Sequence, residues 1–101
     1  MDKKNIVIHI DPDISDLVPG FLENRYQDVA CIHEALKPFD FKTIETLGHN
    51  MKGMGAGYGF EGISTLGARI ERAAQIKDAE TIQACAEELL GYLNRIKIIY
   101  G

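Results

Sequence analysis

Apolar residues recur at spacings of three and four along most of the chain, and polar, proline or glycine residues interrupt them at intervals. This period is typical of amphipathic α-helices that bury one face. It predicts four helices, which span about residues 14–36, 41–55, 61–77 and 79–96. Helices with such short connections usually pack antiparallel to their neighbours. We therefore predict an all-α fold, an antiparallel up-down-up-down four-helix bundle, with a single domain over 1–101 and the bundle over about 14–96.

The ends of these helices are indicated by a few residues with special backbone properties. Pro19 favours a start of the first helix near that position, because an interior proline removes a helix hydrogen bond. Pro38 ends the first helix. Asp40 and Asp78 precede the second and fourth helices and are suited as N-caps, whose side chains accept from free backbone N–H groups. The predicted core consists of the apolar stripe residues Val18, Phe21, Leu22, Val29, Ile32, Leu36, Ile44, Leu47, Met51, Met54, Tyr58, Ile63, Leu66, Ile70, Ala73, Ile82, Ala86, Leu89, Leu93 and Ile96.

Two short segments outside the helices have the character of β-strands. Residues 5–10 and 96–100 are rich in β-branched side chains, and a turn-forming Asp-Pro-Asp follows the first of them. In the predicted bundle, the start of the first helix and the end of the fourth lie at the same end. We therefore expect the two tails to pair as a short antiparallel ribbon at the base of the bundle.

The composition is that of a globular protein, with 46% hydrophobic and 26% charged residues in 101. The net charge of −4 argues against nonspecific nucleic-acid binding. No apolar run approaches the roughly 20 residues that span a membrane, and the N-terminus does not resemble a secretory signal. We expect a cytoplasmic protein. Cys31 and Cys85 have no metal-binding or redox spacing, so both are expected to be reduced core residues.

The candidate chemistry lies in residues 41–62. At about 100° per residue, His49 projects away from the apolar stripe of its helix and is predicted to face solvent. Lys52 and Gly53 follow three and four residues later, so they are its neighbours on the helix surface. The other residues predicted to lie on this face are Lys42, Glu45, Thr46 and Ala56.

Glycines are concentrated around this histidine. Seven of the ten in the chain fall within residues 48–67, although a glycine inside a helix costs about 1 kcal/mol relative to alanine. Gly53 would leave the surface beside His49 bare, so that a phosphoryl group or a partner's backbone could approach. Gly48 and Gly55, on the flanks of the apolar stripe, are expected to allow close helix packing.

An exposed neutral imidazole is a good nucleophile near pH 7, because its ordinary pKa is about 6.5. Phosphorylation of His49 would add nearly two negative charges, which the ammonium group of Lys52 could stabilise. Phosphoryl transfer also needs positioning and charge neutralisation. The sequence indicates no compact acidic cluster for Mg²⁺ and no nucleotide pocket, so a partner would have to supply the rest.

The run His-Asn-Met-Lys-Gly at residues 49–53, with Gly59 ten residues after the histidine, resembles the signature of histidine-phosphotransfer (HPt) domains of two-component phosphorelays. The order of helices agrees over about 14–96. The resemblance implies that His49 accepts a phosphoryl group from a receiver aspartate and passes it to another receiver, with Lys52 stabilising the charge and Gly53 providing clearance. Met54 and Gly55 depart from the small polar or alanine residues often found there.

The same resemblance implies the partners and the cofactors. Response-regulator receiver domains are the expected partners, with a hybrid histidine kinase as a further one. No metal or cofactor is expected on this chain, because the receiver brings Mg²⁺. The chain would then be a phosphocarrier and not an enzyme by itself.

Other interpretations compete with this one. A noncatalytic adaptor of the same fold could dock a receiver or kinase without accepting phosphate. A metal-binding bundle would need several inward-facing ligands, whereas the predicted core stripes are apolar. Residues 57–62 spell GxGxxG, but they follow a helix instead of a strand, so we expect Gly57 and Gly59 to form a turn that ends the helix. His9 and His33 lack the neighbours of His49 and are expected to be structural or solvated.

Overall fold

The computed structural model describes residues 5–101, in which four helices pack as a bundle. The helices are α1 (Val18–Leu36), α2 (Phe41–Met54), α3 (Glu61–Gln75) and α4 (Ala79–Arg95). Each helix contacts the next one along the chain, and α1 also contacts α4. This is the neighbour order of an up-down-up-down bundle, and the predicted all-α fold is confirmed at the level of a four-helix bundle. In the described part of the chain, none of the helices has the length and apolar character needed to cross a membrane.

The two helices that begin after an aspartate are capped as predicted. The backbone N–H of Thr43 donates to Asp40 Oδ1 at 3.2 Å, and the Thr43 hydroxyl donates to Oδ2 at 2.6 Å. Thr81 donates to Asp78 in the same way, at 3.1 and 2.7 Å. Each aspartate therefore satisfies one backbone donor that the helix itself leaves free. Pro19 lies in the first turn of α1, where its missing N–H costs nothing.

The turns before these two caps share one backbone conformation. Phe39 and Lys77 both adopt a left-handed backbone, with φ of 57° and 58°. The amide that follows each of them donates to the carbonyl five residues back, at 2.8 Å. This is the Schellman arrangement that ends many helices, although glycine usually occupies the left-handed position. The α1–α2 and α3–α4 connections are thus built alike.

The core contains most of the predicted stripe residues, but α2 buries a different stripe from the expected one. Met54 is 37% exposed, so its assignment to the core is wrong, and Leu47 and Tyr58 are only partly buried. The positions of α2 that pack inward are Ile44, Gly48, Met51 and Gly55, its C-cap. A search for apolar side chains overlooks the two glycines, which are buried because α3 approaches their bare side. The fully buried side chains of the core include Ile10, Val18, Ile32, Ile44, Met51, Phe60, Ile63, Ile70, Ile82, Cys85 and Leu89.

The cysteines are divided between the core and the surface. Cys85 is fully buried in α4, as predicted, whereas Cys31 is exposed on α1. Its assignment to the core is wrong, because the buried stripe of α1 runs through Val29 and Ile32 and leaves residue 31 on the outer side. Both cysteines are free thiols.

The two tails pair as predicted, but in parallel. Strand β1 (Ile6–Ile10) lies beside β2 (Ile96–Tyr100), in a register that joins Ile6 to Ile96 and Ile10 to Tyr100. Two tails that continued straight from the start of α1 and the end of α4 would run antiparallel. Strand β2 does follow α4 directly, but residues 11–17 separate β1 from α1 and contain a 3₁₀ turn, Pro12–Ile14. The direction of the chain changes there, which makes the parallel pairing possible.

Candidate functional site

His49 lies on the solvent side of α2. Its side chain is 67% exposed, as the phase of the helix predicts. The preceding residue, Gly48, is buried against α3, and Met51 is fully buried two positions later. These inward neighbours fix the rotation of α2 about its axis, and with it the outward direction of the imidazole.

A glutamate that sequence reasoning missed joins His49 to Lys52. Glu71 of α3 places Oε2 2.9 Å from His49 Nδ1 and Oε1 2.7 Å from Lys52 Nζ. The side chain of Glu71 is only 14% exposed, whereas that of Lys52 is 47% exposed. The carboxylate therefore bridges the imidazole and the ammonium from a sheltered position between the helices.

These contacts determine the charge of Glu71. Hydrogen bonds from Lys52 and then from His49 hold the pKa of the Glu71 carboxyl below its ordinary value of 4.5. The group is therefore ionised near pH 7, and an ionised carboxylate only accepts hydrogen bonds.

The tautomer of a neutral His49 follows from this charge. Nδ1 must carry the proton, because it lies 2.9 Å from a carboxylate oxygen that can only accept. The lone pair is then on Nε2, the ring nitrogen that does not bond to Glu71.

Two glycines bring α2 and α3 together at this point. A Cβ added to Gly48 would lie 2.6 Å from the backbone nitrogen of Glu71 and 2.8 Å from the carbonyl oxygen of Gly67. A Cβ added to Gly67 would lie 2.5 Å from the backbone nitrogen of Lys52. Real Cβ atoms do not tolerate such distances, so neither position can hold a larger residue unless the helices move. The close packing expected of Gly48 is thus present.

The surface on the other side of His49 is open. Apart from its chain neighbours and the local backbone of its own helix, no heavy atom of the described residues lies within 4 Å of a Cβ built on Gly53 or on Gly57, and Ala56 is exposed. Gly55, by contrast, packs against the start of α3, where an added Cβ would meet the backbone nitrogen of Ser64 at 2.5 Å. Gly53 therefore leaves bare helix beside the imidazole.

The remaining predicted site residues lie further toward the start of α2. The side chain of Lys42 is 86% exposed, and its Nζ atom lies 3.8 Å from Glu45 Oε1. Glu45 is partly buried and also accepts a hydrogen bond from Gln75 at 3.3 Å. The Thr46 hydroxyl donates to the Lys42 carbonyl at 3.1 Å. None of these contacts involves His49, so the structure groups His49 with Lys52 and Glu71, and leaves these three residues as a flanking surface.

The turn after α2 depends on Gly59. This residue has a φ of 92°, which glycine adopts without strain, and an added Cβ would meet the Cδ1 atom of Ile10 at 2.8 Å. Gly57 lies within the 3₁₀ turn that precedes it, Ala56–Tyr58. The predicted turn is therefore present, and β1 packs directly against it.

Among residues 5–101, no group of three or more His, Cys, Asp or Glu side chains is arranged to hold a metal ion. His9 is exposed on β1 and His33 is partly buried on α1. Neither forms an ion pair or side-chain hydrogen bond within the described chain, in contrast to His49.

Sequence reasoning missed Glu71 and Gly67 because both act across the helix interface. The available signal was the pairing of glycines. Gly48 and Gly67 both border the apolar stripe of their helix, which is typical of a close contact between helices. An acidic residue one turn after Gly67 would then face the helix that carries His49.

No family model matches the chain, and comparisons with curated proteins and with solved structures find no similar protein. The chemistry of the site therefore follows from the contacts of His49, Lys52 and Glu71.

Proposed function

We propose that this protein is a cytoplasmic histidine-phosphotransfer protein, which relays a phosphoryl group between the aspartates of receiver domains through a phosphohistidine at His49. The observation that carries the proposal is the arrangement of this imidazole. It is exposed, its Nδ1 is held by Glu71, and the ammonium of Lys52 is bound to the same carboxylate.

The first step is a nucleophilic attack by His49. The lone pair on Nε2 forms a bond to the phosphorus of the aspartyl phosphate, and the bond between phosphorus and the aspartate oxygen breaks. The aspartate leaves as a carboxylate. The phosphorylated ring still carries its Nδ1 proton and has gained a positive charge, which the adjacent Glu71 carboxylate stabilises.

The second step reverses the first on another receiver. The new aspartate attacks the phosphorus, and the bond from Nε2 breaks with its electrons returning to the ring. A ring that keeps its Nδ1 proton leaves as neutral imidazole, so Glu71 supports both directions by holding that proton. This is a positioning role, because Glu71 acts through His49.

Lys52 supplies charge to the phosphoryl group. In the unphosphorylated protein its Nζ lies 2.7 Å from Glu71, on the flank of His49. The four-carbon side chain is flexible and nearly half exposed, so the ammonium can swing from the carboxylate to the phosphoryl oxygens as negative charge accumulates there.

The partner supplies the remaining machinery. Phosphoryl transfer needs neutralisation of the equatorial oxygens as well as alignment. One ammonium group gives only part of that, so we assign the Mg²⁺ ion to the receiver and no catalysis to this chain alone. The bare surface at Gly53 and Ala56 provides the approach, with Lys42, Glu45 and Thr46 along its edge. A hybrid histidine kinase is a further partner under this proposal.

A noncatalytic adaptor of the same fold is the alternative. An adaptor would dock a receiver through the same surface and would not need a fixed tautomer on an uncovered imidazole. The bridging carboxylate of Glu71 therefore favours the phosphocarrier.

Label transfer from a phosphorylated receiver domain tests the proposal. Wild-type protein should acquire a phosphoryl group that is stable in alkali and lost in acid, as expected of a phosphoramidate. His49→Gln should acquire none, and the matched variant His33→Gln should be labelled like wild type. Labelling of His49→Gln would refute the assignment, and receiver binding without transfer to wild type would favour the adaptor.

A further inference from the structure

We infer that Gly48 and Gly67 are positioning residues of the His49 site: their contact holds α3 close enough to α2 for one carboxylate, that of Glu71, to reach the imidazole and the ammonium together. The inference rests on the proposed function for its biological meaning. The geometry that it describes is a property of the isolated chain.

The contact is reciprocal and involves the backbones of the site residues themselves. The bare side of Gly48 faces the backbone nitrogen of Glu71, and the bare side of Gly67 faces the backbone nitrogen of Lys52. Each glycine thus lies against the main chain of a residue that contributes to the bridge. Neither neighbour is the flexible end of a side chain, so an added methyl group could be accommodated only by separating the helices.

The required separation is large compared with the tolerance of a hydrogen bond. Carbon atoms in contact usually lie about 3.5–4.0 Å apart, whereas the added Cβ atoms would lie 2.5–2.6 Å from their nearest neighbours. An alanine at either position must therefore move the helices apart by about 1 Å. The distance from His49 Nδ1 to Glu71 Oε2 is 2.9 Å, and a displacement of that size takes it beyond hydrogen-bond range.

The two contacts of Glu71 respond differently to such a shift. Lys52 has a long side chain with several rotatable bonds and can follow the carboxylate. The imidazole of His49 turns on two torsions and cannot. Separation of the helices should therefore keep the contact to Lys52 and break the one to His49, which releases the Nδ1 proton from its partner.

The tautomer of His49 is the direct readout. Nitrogen-15 correlation spectra of the imidazole measure which nitrogen carries the proton in the neutral ring, and they require no partner protein. In wild type the Nδ1–H form should predominate, and Glu71→Gln sets the level without the carboxylate. Wild type should contain more of the Nδ1–H form than Glu71→Gln. Gly67→Ala and Gly48→Ala should each lose at least half of that excess.

Gly91→Ala is the matched control for the glycine variants. Gly91 also lies within a helix, but no heavy atom of the described residues outside the local backbone of that helix is within 4 Å of its added Cβ. It should keep the wild-type tautomer. If Gly67→Ala folds and also keeps the wild-type tautomer, the inference is wrong.

Glu71→Asp decides the question if the alanine variants do not fold. It withdraws the carboxylate by one methylene and leaves the contact between the helices unchanged. Loss of the Nδ1–H form in this variant would show that the contact to His49 depends on how far the carboxylate extends from α3. A wild-type tautomer would overturn the inference. Because these spectra are recorded without a receiver, failure of wild-type protein to accept phosphate would refute the proposed function and leave this result readable.

Discussion

Replacement of Gly53 by alanine should stabilise the fold and impair phosphoryl transfer in the same molecule. Gly53 lies in the last turn of α2, where a Cβ would have open space around it. The methyl group therefore causes no clash, and the loss of glycine's backbone freedom should raise the free energy of unfolding by about 0.5–1 kcal/mol. For a domain of this size, that corresponds to a rise in Tm of about 2–8 °C.

The same methyl group occupies the surface that the partner must reach. Gly53 is four residues after His49 and is its neighbour on the outside of the helix. In-line transfer depends on close alignment of the reacting atoms, and a displacement of about 1 Å can cost as much as 100-fold. We expect a decrease of about tenfold in the rate of transfer from a phosphorylated receiver.

Thermal unfolding followed by circular dichroism, together with rapid-quench transfer kinetics, measures both effects. Gly91→Ala controls for the change in helix propensity, because it makes the same substitution in open space on α4. It should raise Tm and leave the transfer rate unchanged. A Gly53→Ala protein that is more stable and transfers at the wild-type rate would refute the clearance role, and a less stable one would refute the open geometry.

Three further predictions follow from the rest of the fold. Lys77→Gly should stabilise the protein by about 1 kcal/mol in urea unfolding, because its φ of 58° is strained for a residue with a Cβ; a less stable variant would contradict the strain. The pKa values of Asp40 and Asp78 are held below 3.8 by hydrogen bonds from the threonine hydroxyl and then the backbone N–H of residues 43 and 81. Their contribution to the free energy of unfolding is therefore complete above the unfolded pKa and is lost as the pH falls through the lower folded pKa. In urea titrations from pH 6 to 2, the Asp40→Asn, Asp78→Asn double variant should lose less unfolding free energy than wild type. An identical loss in both proteins would refute the contribution of these two carboxylates. In thiol labelling, exposed Cys31 should react in the native state, whereas Cys85, whose pKa is raised by burial, should react only on unfolding; equal rates would contradict the burial.

Helical periodicity was sufficient to place His49, because that prediction needed only the direction of one side chain from one helix. It failed for Met54 and Cys31, for which the boundary of the buried stripe matters. The stripe of α2 is displaced toward Gly48 and Gly55 by the close approach of α3. The sequence predicts close packing at these two glycines, but not that the packing moves the buried stripe toward them.

Glu71 shows the same limit at the site itself. Its role depends on an interhelical distance that two glycines on different helices determine jointly. The parallel pairing of β1 and β2 likewise depends on the path of residues 11–17 in space. A sequence pattern describes the composition of such a connection but not the angle through which it turns.

The matching turns that precede α2 and α4 have a consequence for the symmetry of the chain. Each turn ends in an aspartate bonded to a threonine three residues later, and the two aspartates are 38 residues apart. Counting from these caps, Glu87 occupies in α4 the position that His49 occupies in α2, and Gly91 corresponds to Gly53. The two halves therefore share one plan of turn and cap, but α4 has Glu87 and Leu90 where α2 has His49 and Lys52. Glu87→His would therefore place an imidazole four residues before a glycine without the lysine of the original site, and would show what that glycine spacing contributes by itself.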